Sequence, residues 1–92
     1  MIASFRDAEA ETLFRDEFSK KYRSIERSAR KRLATLDAAD KLQDLAAIPG
    51  NHLEALKADR DGQHSIRINQ QYRICFVWTD SGAANVEIVD YH

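Results

Sequence analysis

The spacing of hydrophobic residues changes at Pro49 and Gly50, and this change limits the possible folds more than any other feature of the chain. Before it, apolar residues recur every three or four positions, as on one face of an amphipathic α-helix. That stripe consists of Phe18, Tyr22, Ile25, Ala29, Leu33 and Leu36. After it, apolar and polar residues alternate, as in β-strands with one buried face. The sequence therefore predicts helices first and a sheet afterwards.

Shorter elements are predicted on the N-terminal and C-terminal sides of this helix. Residues 1–5 are expected to form an edge strand, and the acids from Asp7 onward favour the start of a first helix. The expected buried residues of this first helix are Leu13, Phe14 and Phe18. Asp37 is expected to cap a further short helix, which Pro49 ends because the residue before a proline avoids helical angles.

Four strands are predicted in the second half, at residues 53–57, 64–69, 72–78 and 85–91. The links between them are short and carry turn-forming residues such as Asp61 and Gly62, so neighbouring strands are expected to be antiparallel. The 92 residues have room for one compact domain, residues 1–92. The prediction is an α+β fold in which N-terminal helices pack on one face of an antiparallel sheet and leave the other face open to a ligand.

Composition argues against several classes of protein. No run of 18 apolar residues is present and charges interrupt the first 20 positions, so neither a membrane span nor a secretory signal is expected, and the chain should be cytoplasmic. Cys75 is the single cysteine and the three histidines are scattered, so no disulfide, metal site or cofactor is expected. The net charge of −1 argues against a protein that coats nucleic acid non-specifically.

One segment is nevertheless strongly basic. It contains Lys20, Lys21, Arg23, Arg27, Arg30, Lys31 and Arg32. Such a run is most often the solvated face of a helix. It can also serve as a docking surface for an acidic partner.

Alternation along the strands assigns side chains to the two faces of the sheet. The set directed at the helices comprises Ile66, Ile68, Tyr72, Ile74, Phe76, Trp78, Val86 and Ile88. The opposite face receives Ser65, Arg67, Asn69, Arg73, Cys75, Val77, Glu87, Val89 and Tyr91, and it is flanked by Lys57 and Arg60. This second face therefore combines positive charge with an aromatic ring.

Such a face is a candidate phosphate-binding surface. Guanidinium groups such as those of Arg67 and Arg73 pair with phosphate oxygens, and a tyrosine ring can stack on a base. The alternative is that both arginines are ordinary exposed strand residues paired with nearby acids. Those acids would be Glu54, Asp59 or Glu87.

The histidines differ in their expected surroundings. His92 follows the last predicted strand, where an imidazole can exchange protons near neutral pH; a frayed tail is the alternative. His64 is expected to be partly buried on the core side, and His52 is expected at the surface. Neither of these two is a predicted catalytic residue, nor is Cys75, because the sequence places no activating group beside it.

Several segments resemble one family over essentially the whole chain. They are Leu53-Glu54-Ala55-Leu56-Lys57, Asp59-Arg60, His64-Ser65-Ile66-Arg67-Ile68-Asn69, Tyr72-Arg73-Ile74-Cys75-Phe76 and the final Asp90-Tyr91-His92. On these segments the chain is similar to HigB toxins of the RelE and ParE superfamily. The resemblance implies a curved antiparallel sheet backed by helices and ribosome-dependent cleavage of messenger RNA. It also implies inhibition by HigA, a small helix-turn-helix antitoxin, through which alone the chain would meet DNA.

The resemblance further implies positions for functional residues. The set given by matching position is Lys57, Arg73, Asp90, Tyr91 and His92. Some relatives carry a histidine where this chain has Glu54, which makes Glu54 a further candidate. Arg60 and Arg67 join the set as RNA-binding candidates from the face assignment above.

Cleavage of RNA without a metal requires a base for the 2′-hydroxyl proton, cations near the phosphate and an acid for the leaving 5′-oxygen. Under this hypothesis Lys57 and Arg73 stabilise the charge that builds on the phosphate. His92 or Glu54 transfers the protons, and Tyr91 orients the nucleotide or stacks on it.

Two other functions are open at this point. A toxin like those of the ParE branch shares the fold but inhibits DNA gyrase without cutting RNA, and lacks a convergent set of proton-transfer residues. An interaction protein without toxicity would use the basic helix as its docking surface.

Overall fold

Helices precede strands in the computed structural model, which describes residues 1–91. The helices are α1 (Ala8–Phe14), α2 (Glu26–Ala38) and α3 (Leu42–Ala46), with 3-10 turns at Arg23–Ile25 and Ala58–Arg60. The strands are β1 (Glu54–Ala55), β2 (His64–Arg67), β3 (Tyr72–Thr79) and β4 (Gly82–Asp90). The expected proton-transfer role of His92 concerns a residue outside this description. Within residues 1–91, no helix is both long and apolar enough to cross a membrane.

The strands form an antiparallel sheet in the order β1-β2-β3-β4, which confirms the predicted meander. Each strand pairs with its neighbour in sequence, so short turns are enough to connect them. A bulge between Cys75 and Val77 shifts the register of β3 against β4 and bends the sheet. The predicted α+β fold with helices on one face of a curved sheet is confirmed.

Residues 1–5 lie along the outer edge of β4. Isolated parallel bridges join Ile2 to Ala83 and Phe5 to Val86, so this segment occupies the predicted edge position without forming a regular strand. The carbonyl of Met1 lies very close to Gly82, which has a φ of 111°. A Cβ atom at Gly82 would lie 2.0 Å from the carbonyl oxygen of Met1, so only glycine fits there.

The hydrophobic core lies between the sheet and the helices. The predicted inward set of the strands is confirmed, since Ile66, Ile74, Phe76 and Val86 are fully buried and Tyr72 and Trp78 pack partly buried around them. The helices contribute a second group of fully or nearly fully buried side chains. These are Ala10, Leu13, Ala29, Leu33, Leu36 and Leu45.

The helical stripe that begins at Phe18 is shorter than predicted. α2 starts at Glu26, and Phe14 and Phe18 are 37% and 66% exposed rather than buried. The chain leaves α1 through Asp16, which has a left-handed φ of 65°. Arg30 holds this exit by donating hydrogen bonds to the carbonyls of Leu13 (3.2 Å) and Glu17 (2.7 Å). The reversal turns Phe18 away from the core, which hydrophobic spacing does not reveal.

The expected capping role of Asp37 is wrong. Asp37 lies inside α2, and its carboxylate accepts a hydrogen bond from the backbone N–H of Ile2 at 2.8 Å. The next helix is instead capped by Asp44, whose carboxylate accepts from the N–H of Lys41 at 3.0 Å. Asp37 thus connects the N-terminal segment to α2. The residues around Asp37 in the sequence do not indicate this contact, because its partner Ile2 is 35 positions away.

Candidate functional site

An open pocket of about 360 Å³ lies beside the end of β2, away from the helical layer. Its walls are His52, Glu54, Arg67, Asn69, Gln70, Arg73 and Tyr91. It brings together four residues that the sequence singles out, namely Glu54, Arg67, Arg73 and Tyr91. The predicted shared surface of two arginines and a tyrosine is therefore present.

Two arginines face each other directly across the strands that form this pocket. Arg67 on β2 is the register partner of Arg73 on β3. Like charges in opposed positions of a sheet destabilise it, so this placement concentrates positive charge at a cost in stability. The Nε of Arg67 donates to the carbonyl of Asn69 at 3.1 Å.

Arg73 is held rigidly, with only 14% of its side chain exposed. Its Nε donates to the Oγ of Ser65 at 2.7 Å, and its Nη2 donates to the carbonyl of His52 at 2.5 Å. Its Nη1 lies 3.9 Å from the carboxylate of Glu54, a pair that the sequence leaves open as an alternative. Arg73 therefore has a fixed orientation at the pocket, and Glu54, 61% exposed, stays accessible.

The wall that carries His52 and Glu54 is anchored by Asn51, which is fully buried. Its Nδ2 donates to the carbonyl of Leu45 at 3.1 Å, and its Oδ1 accepts from Nη1 of Arg32 at 2.5 Å. Its own carbonyl accepts from the N–H of Arg67 at 2.7 Å. Arg32 of the basic segment therefore does more than face solvent, because it fixes the loop at one side of the pocket.

The pocket side of the sheet is more covered than predicted. Ser65 and Cys75, both assigned to the uncovered face, are fully buried. Arg73 contacts the Oγ of Ser65, and Tyr91 forms a hydrogen bond with Cys75. Burial raises the pKa of the Cys75 thiol, although Arg60 and a hydrogen bond with Tyr91 oppose this change. Burial and Cys75 in turn raise the pKa of Tyr91. Cys75 is thus a strand residue, as predicted, but it is buried, and its thiol forms a hydrogen bond with the Tyr91 side chain.

Three other predicted residues do not line the pocket. Arg60 donates through Nη1 to the carboxylate of Glu87 at 3.2 Å, an acid that the sequence offered as a partner for Arg67 or Arg73. Lys57 is exposed at the start of the 3-10 turn Ala58–Arg60. Asp90 accepts from Nε2 of Gln71 at 3.0 Å and borders a separate depression beside Tyr22.

Sequence reasoning placed Asn69 on the correct face but missed His52 and Gln70 as pocket residues. Gln70 lies only three positions after the β2 residue Arg67, and this proximity is a signal that could have been used. His52 had no such signal, since its position depends on contacts of Asn51 with distant residues. Among residues 1–91, no three His, Cys, Asp or Glu side chains are placed to share a metal ion.

This arrangement can bind an anion and transfer protons. Two guanidinium groups supply charge and directed donors for phosphate oxygens. Carboxylate, imidazole and phenol groups at the same pocket supply acid and base functions.

Comparisons with known proteins point in one direction. A family model for RelE-like HigB toxins of type II toxin–antitoxin systems matches residues 3–92. The chain is 39% identical over 89 residues to toxin HigB-1 of Vibrio cholerae, an alignment that covers 92% of each protein. An uncharacterized protein of Haemophilus influenzae is 32% identical over 61% of this chain and 55% of its own length. In fold, the chain resembles a chain of the YoeB–YefM complex from Staphylococcus aureus, with a TM-score of 0.62, 20% identity, and coverage of 100% of this chain and 95% of that one.

Proposed function

Because this chain belongs to the HigB-like family of RelE-like toxins from type II toxin–antitoxin systems, we propose that it acts as an endoribonuclease that cleaves messenger RNA on the ribosome. Translation stops because the messenger is cut. Such a substrate places the activity in the cytoplasm.

The observation that carries this proposal is the opposed pair of Arg67 and Arg73 at the open pocket. Two like charges in register destabilise the sheet, and a bound phosphate removes that repulsion. Tyr91, 43% exposed at the same pocket, presents a ring on which a base stacks. The pocket therefore has the components needed to hold one ribose-phosphate unit of a single strand.

In the proposed reaction, a base removes the proton of the 2′-hydroxyl and the 2′-oxygen attacks the neighbouring phosphorus. Arg73, held in place by Ser65 and His52, stabilises the negative charge that develops on the phosphate oxygens. Glu54 or His92 transfers protons. Lys57, exposed at the start of the 3-10 turn, adds positive charge near the RNA backbone, and Arg60 is a further proposed RNA contact. Asp90, which precedes Tyr91 and His92, belongs to the same proposed catalytic set.

We further propose that the partner is an antitoxin of the HigA type, a helix-turn-helix protein. The toxin–antitoxin family and the complex from which the similar Staphylococcus aureus chain comes both support an antitoxin partner. DNA contact belongs to that antitoxin under this proposal.

The test uses purified ribosomes programmed with a defined messenger, and the products are mapped after addition of the protein. We expect cleavage by the parent, a loss of about a hundredfold or more with Arg73→Ala, and parental rates with Arg27→Ala, an exposed arginine on α2 outside the pocket. A messenger with one 2′-deoxyribose at the cleaved position should survive. An uncut messenger combined with inhibited DNA gyrase would refute the proposal in favour of a ParE-like function.

A further inference from the structure

We propose that His52 is the general acid of this site, the group that protonates the leaving 5′-oxygen. The inference rests on the proposed RNA cleavage and names a catalytic residue for it. His52 lines the same pocket as Glu54, Arg67, Arg73 and Tyr91, and it is exposed. Imidazole is the side chain best suited to giving and taking protons near neutral pH.

The position of His52 is fixed by contacts on both sides. The preceding residue, Asn51, is fully buried and anchored by Arg32 and by the carbonyl of Leu45. The carbonyl of His52 itself accepts the 2.5 Å hydrogen bond from Nη2 of Arg73. The guanidinium proposed to stabilise the phosphate therefore also holds the backbone that carries the imidazole.

The backbone of His52 is strained in a way that favours a functional explanation. Its φ is 45°, in the left-handed region that glycine adopts without strain and other residues adopt uncommonly. Non-glycine residues in this region cost stability and concentrate at functional sites.

In this scheme Glu54 and His52 divide the two proton transfers, and His52 takes the place of His92 as a proton-transfer group. The carboxylate of Glu54 takes the proton of the 2′-hydroxyl, and the 2′-oxygen forms a bond to phosphorus. The bond between phosphorus and the 5′-oxygen breaks, and this oxygen takes the proton of the His52 imidazolium. The products are a 2′,3′-cyclic phosphate and a 5′-hydroxyl. Water then carries the proton from Glu54 back to His52, which restores both groups without a metal or cofactor.

The charged groups at the pocket agree with this division. Those that line it with His52 are Glu54, Arg67, Arg73 and Tyr91. The carboxylate of Glu54 lies 3.9 Å from Nη1 of Arg73, so the proposed base stands beside the cation proposed to stabilise the phosphate.

The test compares two messengers on programmed ribosomes, one with an ordinary 5′-oxygen at the cleaved linkage and one with sulfur in its place. A thiolate leaves without protonation, so sulfur removes the need for a general acid. The variant is His52→Asn, because asparagine keeps the left-handed backbone and a polar side chain. The control is Asp16→Asn, since Asp16 is also exposed with a positive φ, of 65°, but lies outside the pocket.

We expect His52→Asn to cleave the oxygen linkage about a hundredfold more slowly than the parent, and the sulfur linkage within about tenfold of it. The control should match the parent on both. Equal loss on both linkages, or unimpaired cleavage of the oxygen linkage, overturns the role of His52 and leaves the proposed nuclease function standing. A parent protein that cuts neither messenger overturns the nuclease function itself.

Discussion

The buried amide of Asn51 allows a quantitative prediction about stability and the site together. Asn51→Ala removes the hydrogen bonds to the carbonyl of Leu45 and from the guanidinium of Arg32. A neutral bond contributes about 1 kcal/mol and one to a charged group about 1.5–3 kcal/mol. The carbonyl of Leu45 keeps other donors, among them the N–H of Ile48 at 3.4 Å, so its desolvation cost is small. The free energy of unfolding should therefore fall by about 2.5–4 kcal/mol.

For a domain of this size, a loss of about 3 kcal/mol lowers the melting temperature by roughly 12–24 °C. Circular dichroism during heating and urea titration both measure the change. Below the melting temperature, messenger cleavage should also fall, because Asn51 anchors the wall that carries His52 and Glu54. The matched control is Arg27→Ala, an exposed change on α2, which should alter stability by no more than about 0.5 kcal/mol.

A double-mutant cycle with Arg32→Ala isolates the link between α2 and this wall. If Arg32 acts through Asn51, the combined variant should lose at least about 1 kcal/mol less than the sum of the single variants. Strict additivity would refute the linkage. A loss under about 1 kcal/mol for Asn51→Ala would refute the anchoring role as a whole.

Three further predictions concern separate parts of the molecule. Gly82→Ala should destabilise the protein by more than about 3 kcal/mol, because its Cβ meets the first carbonyl at 2.0 Å, whereas Gly62→Ala, with a φ of 89° and open space around it, should cost about 1–2 kcal/mol. Equal losses of unfolding free energy in the two variants, measured by urea unfolding, would contradict that reasoning. Arg73→Lys should retain the fold but cleave messenger at least tenfold more slowly, since lysine keeps the charge and loses the paired donors; parental rates in the ribosome assay would argue against a directed guanidinium. Burial, reinforced by a hydrogen bond to the carboxylate of Asp7 (2.8 Å), raises the pKa of Tyr22 above the unfolded value of about 10. The folded state therefore holds the phenolic proton of Tyr22 more tightly than the unfolded state does. The resulting contribution to the free energy of unfolding is complete below pH about 10 and is lost as the pH rises above that value. The free energy of unfolding, measured in urea from pH 8 to 12, should decline in the parent and decline less in Tyr22→Phe. Identical slopes of this free energy against pH in the two proteins would refute the assignment.

The sheet was predictable because alternation with one buried face determines which side chains point inward. Ile66, Ile74 and Val86 follow that rule directly. The same rule placed Arg67 and Arg73 together on the opposite face, which is the part of the site that local pattern can reveal.

The remaining features depend on contacts between distant residues. Phe18 continues a helical stripe in sequence, but the left-handed turn at Asp16 directs it to solvent. Arg60 forms an ion pair with Glu87, and the alternation of apolar and polar residues does not predict that partner. His52 reaches the pocket through the anchoring of Asn51 by α2, so its role could be recognised only with the structure.

The edge formed by residues 1–5 has a consequence for biosynthesis. Its partners Ala83 and Val86 are made about eighty residues later, as with the hydrogen bond from Asn85 back to Ser4. A nascent chain can form its helices early, but it cannot close this edge until β4 has left the exit tunnel. A polypeptide interrupted before that point lacks the final strand and the tyrosine after it. An incomplete translation product therefore has neither the closed edge nor the Tyr91 wall of the pocket.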